Sequence, residues 1–109
     1  MAYLPARLYQ GQPGTTETTV YTVPTGKTVI LKQIVLANVT TLPAKVSVSL
    51  VPSGGTAGDG NRLCKDLSVP ANSIVTIDLS QVMTAGDFLS AVQGTSGAIT
   101  VTISGVVIG

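Results

Sequence analysis

Apolar and polar residues alternate along much of this chain with a period of two. Val46, Val48 and Leu50 alternate with Lys45, Ser47 and Ser49. Val75, Ile77 and Leu79 alternate with Thr76, Asp78 and Ser80, and Ile99, Val101 and Ile103 alternate with Thr100, Thr102 and Ser104. Successive side chains of a strand point to opposite faces, so each run predicts a strand with one face on a core. No window shows a convincing 3.6-residue repeat, and the β-branched residues that fit a pleated surface are abundant. Strands are expected over 16–23, 27–39, 44–50, 63–69, 75–79, 88–93 and 98–108. That spacing gives about seven to eight strands, the number a sandwich of this length needs.

One phrase occurs twice. Val23-Pro24-Thr25-Gly26-Lys27-Thr28-Val29-Ile30 is echoed by Val69-Pro70-Ala71-Asn72-Ser73-Ile74-Val75-Thr76. Each copy ends one run, turns through Pro and a residue that tolerates positive φ, and starts another. Pro is expected at the first central position of the turn, with Gly26 or Asn72 in the left-handed region after it. Two such corners predict an all-β antiparallel β-sandwich of jelly-roll or Greek-key kind.

Three segments break the alternation. In Lys27–Val39 both faces are apolar, with Val29, Leu31 and Val35 on one side and Ile30, Ile34 and Leu36 on the other. Either a bulge shifts the phase, or loops cover the outer face, or that face packs on another subunit. Val106, Val107 and Ile108 likewise make both faces of the last strand apolar, after a phase break expected at Gly105. The segment 1–13 holds Tyr3, Leu4, Arg7, Leu8 and Tyr9. It is read as an extended N-terminal arm ahead of a single sandwich domain over 14–109. A frayed terminus is the other reading. Tyr, Leu and Arg suit an interface, so these five residues, with Ile30, Ile34, Leu36, Val106 and Ile108, are the candidate partner or subunit contacts.

Composition sharpens the picture. The 109 residues suffice for one domain with a real core. Only 10% are charged, and the net charge is +1. Ordinary domains carry about 25% charged residues, so much of this surface is expected to be covered by copies of the chain or by a partner. No basic stripe marks a nucleic-acid footprint, and no apolar run is long enough for a transmembrane helix. The first residues lack the apolar core of a signal peptide, which points to synthesis in a reducing cytoplasm. A single cysteine, Cys64, excludes an intramolecular disulfide and reads as a packing residue.

Chemistry is hard to find. With no histidine there is no Ser-His-Asp triad, Cys-His dyad or His-rich metal site. The carboxylates Glu17, Asp59, Asp66, Asp78 and Asp87 show no pair spaced for glycoside hydrolysis. The loop Pro52–Asn61 holds four glycines but lacks the Gly-Lys-Ser/Thr ending of a phosphate cradle. Asp59 and Asn61 resemble the start of a Ca²⁺ loop whose later ligands are missing. No enzyme, cofactor or metal is expected.

The stretches LPARLYQGQPGT (Leu4–Thr15), VYTVPTGKT (Val20–Thr28), IVLAN (Ile34–Asn38), AGD (Ala85–Asp87) and ISGV (Ile103–Val106) resemble small β-sandwich structural proteins of tailed bacteriophages. The likeness spans nearly the whole chain and rests on turn and strand motifs, so it carries over no active-site residue. It implies a virion component, made in the host cytoplasm. The first expectation is a capsid decoration (cement) protein that binds the major capsid protein as trimers or other symmetric homo-oligomers. A neck, tail or fibre adaptor and a carbohydrate- or host-surface-binding module are the alternatives. Neither nucleic acid nor membrane is an expected partner.

Overall fold

The computed structural model describes residues 3–109; Met1 and Ala2, the start of the expected arm, lie outside the described residues. Eight strands follow one another: β1 (Tyr3–Gly11), β2 (Thr18–Thr22), β3 (Thr28–Asn38), β4 (Ala44–Val51), β5 (Arg62–Val69), β6 (Ile74–Thr84), β7 (Phe88–Gln93) and β8 (Ile99–Ile108). One turn of 3-10 helix, Asp59–Asn61, interrupts the β4–β5 loop. The strands form two antiparallel four-stranded sheets, ordered β1-β8-β3-β6 (sheet I) and β2-β7-β4-β5 (sheet II). Only β4–β5 is a hairpin within one sheet; every other connection crosses the sandwich. This is the jelly roll, in which two Greek keys are wrapped face to face.

The core lies between the sheets. Val29, Leu31, Ile34, Leu36, Val46, Val48, Met83, Leu89, Ile99, Val101 and Ile103 are all buried there. Strand β8 alternates without interruption, and its neighbours accommodate it by bulging. Between Leu31 and Gln33 strand β3 gains one residue relative to β8, and between Arg7 and Tyr9 strand β1 does the same. A bulge puts two successive residues opposite one and moves the following residues to the other face. Val29 and Leu31 therefore point inward before the bulge, and Ile34 and Leu36 point inward after it. Ile34 and Leu36 are fully buried core residues, which corrects their assignment to a subunit contact. The phase break expected at Gly105 is corrected in the same way: it sits on the neighbouring strands, and β8 runs straight through.

The repeated phrase marks two sheet-to-sheet corners, β2 to β3 and β5 to β6. Gly26 and Asn72 both adopt positive φ, 79° and 53°. The prolines sit one place earlier than expected: Pro24 is the first residue of its turn, and its carbonyl accepts from Lys27 N at 3.2 Å. Val23 and Val69, just before the prolines, are buried and anchor each corner to the core.

Buried amides tie the loops together. Asn38 Nδ2 donates to the carbonyls of Leu42 (2.8 Å) and Val69 (3.0 Å), while its Oδ1 accepts from Thr40 N (2.9 Å). Gln93 does the same between the β1–β2 and β7–β8 connections. Its Nε2 donates to the carbonyls of Pro13 and Ile99, and its Oε1 accepts from Ile99 N at 2.8 Å. Backbone groups that cross between sheets cannot join a ladder, so side-chain amides satisfy them instead.

From Tyr3 onward the expected arm is an integral edge strand. It pairs with β8 from Tyr3↔Ile108 to Gly11↔Val101. The bulge at Leu8 hid it from the alternation rule, because Leu8 and Tyr9 both pack towards the core. The segment is extended, as expected, but it is part of the sandwich and not a detached anchor.

Candidate interaction surfaces

On the outer face of sheet I, cross-strand pairing builds rows that span all four strands. Pro5 pairs with Val106, Val106 with Ile30, and Ile30 with Val82. Tyr3 and Ile108 continue this apolar row at its β1–β8 corner. The next row is polar: Arg7, Ser104, Gln33 and Asp78. Tyr3 and Val82 are 66% and 63% exposed, while Ile30, Val106 and Ile108 are half-buried by one another. An outer face of a lone sandwich is ordinarily polar. This one carries a contiguous apolar band.

Beside the band lies a shallow depression lined by Pro5, Ala6, Arg7, Lys32, Ser104, Gly105 and Val106. The β3 bulge turns both Lys32 and Gln33 outward here. Lys32 Nζ donates to Ser80 Oγ at 2.8 Å, Gln33 Nε2 to Asp78 Oδ1 at 3.1 Å, and Arg7 to Gln10 Oε1 at 3.1 Å. The ion pairs among the described residues are Arg62–Glu17 and Lys65–Asp59, so Arg7, Lys32 and Asp78 have no opposite charge in contact.

Of the residues expected at a contact, the structure brings Tyr3, Ile30, Val106 and Ile108 together, with Arg7 in the adjoining row. Leu4, opposite Val107, is 59% exposed at the sheet edge. Leu8 and Tyr9 turn inward, and Ile34 and Leu36 are core. Pro5, Val82 and Lys32 were missed. Val82 was legible, because the outward positions Thr76, Asp78 and Ser80 continue to it in phase.

Sheet II is covered differently. Arg62 bonds Glu17 and also donates to Ser49 Oγ at 2.9 Å, and Ser90 Oγ donates to Glu17 Oε2 at 2.6 Å. Within this network Ser49 is fully buried, on what the alternation predicted to be a solvent face. Glu17, Thr19, Gly55, Thr56, Ala57, Phe88 and Ser90 line a second depression beside it. The Gly-rich loop is held by its own side chains: Asn61 Oδ1 accepts from Gly58 N, Asn61 Nδ2 donates to Thr56 O, and Lys65 bonds Asp59 at 3.0 Å. Among the described residues no three His, Cys, Asp or Glu side chains come together. Cys64 is half-buried opposite Val48, and burial pushes its thiol pKa up, away from the reactive thiolate.

No family model and no curated protein matches this chain. Among solved structures it is similar to a chain in the structure of infectious bursal disease virus, Gx strain, with a TM-score of 0.52 and 14% identity. The match covers 97% of this chain and 31% of that one, so this chain spans about a third of its neighbour's length. At that identity the likeness is one of fold alone. No helix among the described residues is long and apolar enough to cross a membrane.

Proposed function

We propose that this protein is a virion structural component that acts by binding, as a capsid decoration protein laid on the assembled shell. The observation that carries the reading is the apolar row Pro5–Val106–Ile30–Val82, extended by Tyr3 and Ile108, across an otherwise uncovered sheet face. A chain with only 10% charged residues has few groups to keep such a band in water. The fold likeness to a chain of a virus structure and the sequence resemblance to phage sandwich proteins support the same class. Binding only the assembled state would stabilise it by mass action, and repeated copies would add avidity.

The test is a count of copies in purified particles of the virus that encodes the chain. Hundreds of copies per particle are expected for decoration. A dozen or fewer would move the protein to the neck or tail, and absence from particles would overturn the reading. One observation favours a host-surface role: Phe88 lies beside Glu17, Thr19 and Ser90 in the sheet II depression, an arrangement able to hold a sugar. A glycan array probed with the purified protein decides that reading.

A further inference from the structure

A jelly roll has four edge strands, here β1 and β6 of sheet I and β2 and β5 of sheet II. Exposed edges invite pairing with another chain, and proteins guard them with prolines, bulges, charges or short length. Three of these edges are guarded. Strand β1 carries Pro5 and the bulge at Leu8, and β2 has five residues and a register shift at Val20. Strand β5 has two register shifts, Asp66 at φ 47°, and the charges Arg62, Lys65 and Asp66. Strand β6 shares only the register shift, with Leu79 and Ser80 lying between its pairs to Leu31 and Gln33. It runs eleven residues, Ile74–Thr84, without proline, glycine or positive φ, and carries a single charge, Asp78. Its inward residues Val75, Ile77 and Leu79 stay half-exposed at the open seam, and Ile74 and Val82 are exposed on its outer side.

We propose that β6 is a dimerisation edge, pairing antiparallel with β6 of a second copy about a two-fold axis at Leu79. Charge complementarity selects a copy of the same chain as the occupant. In the register that overlaps the whole strand, Leu79 meets the partner's Leu79 and Asp78 lies opposite the partner's Ser80. Opposite residues in a ladder stand about 5 Å apart at Cβ. Lys32 already reaches Ser80 of its own chain, so the partner's Lys32 ammonium arrives at Asp78, and symmetry repeats the pair. Among the described residues neither charge has an opposite partner. The inference is independent of the proposed virion role.

The experiment is the mass in solution, by sedimentation equilibrium, of wild type, Lys32→Asp, Asp78→Lys and the double swap. Both positions are exposed, and circular dichroism confirms that each variant is folded. The wild type is expected at twice the chain mass of 11.0 kDa. Each single swap sets like charges against each other twice across the interface and is expected to weaken dimerisation about tenfold or more. The double swap restores it. Tyr3→Lys, on the sheet I face, leaves the dimer intact. A monomeric wild type overturns the proposal, as does a dimer indifferent to the single swaps or a double swap that fails to restore it. Absence from virions would sink the functional reading and leave this dimer standing.

Discussion

The carbonyl oxygen of Ile30 occupies the space that a Cβ on Gly105 would need, with Leu31 Cα just behind it. The β3 bulge brings its backbone this close to β8, so the straight course of β8 depends on a residue without a side chain. Gly105→Ala is expected to lower stability by about 1–3 kcal/mol, the range for overpacking. Gly58→Ala, in open space and extended backbone, should change it little. Urea unfolding of the two variants checks this; equal effects would mean that the close approach is not constraining.

Ile30 and Ile34 are four residues apart on one strand, yet the bulge between them sends them to opposite faces. Ile34→Ala should cost about 2–5 kcal/mol as a cavity in the core. Ile30→Ala should cost far less in monomer stability and should act instead on partner binding. Comparable losses of stability from both would contradict the placement of the bulge.

Asn38 satisfies two carbonyls and one backbone N–H that no strand can reach. Replacing it with Ala leaves the buried Val69 carbonyl and Thr40 N without this partner, while Leu42 O keeps the Thr40 hydroxyl, at about 1–3 kcal/mol in all. Gln93→Ala should behave alike, and the double variant should be near additive, because the two amides tie separate pairs of loops. Thermal unfolding of the three variants is the measurement.

Asp87 accepts from Thr84 N, Thr84 Oγ and Ser53 N, holding the β6–β7 turn to the β4–β5 loop. The bond from Thr84 N is the main cause that lowers its carboxyl pKa below the ordinary 3.8, joined by those from Ser53 N and the Thr84 hydroxyl. A depressed folded-state pKa stabilises the fold above the unfolded value, and that contribution disappears as pH falls through the folded one. The stability gap between wild type and Asp87→Asn should therefore be full near neutrality and shrink below about pH 4. Chemical denaturation from pH 7 to 2 reads the gap; a constant difference would remove the carboxylate from the account.

The band across sheet I was half legible before the fold was known. Tyr3, Ile30, Val106 and Ile108 stood out because alternation failed at their segments, and failed alternation signals either a bulge or a second buried face. Here both causes operate, on different residues. A strict period of two cannot register an extra residue, so it sets Ile34 and Leu36 on the outer face and makes β1 read as an arm. Pro5 and Val82 join the band only through pairing across strands some 100 and 50 positions away in the chain.

By itself the sequence determined what local chemistry controls: strand positions from side-chain alternation, corner positions from Gly26, Asn72 and the buried valines, and the absence of histidine chemistry. Tertiary structure alone decided which strands are neighbours, where the ladders slip, and which edge is left open. Those depend on contacts between residues far apart in the chain, where fitting β1 and β3 against the straight β8 outweighs local periodicity. The apolar row and the bare β6 edge are products of that fit.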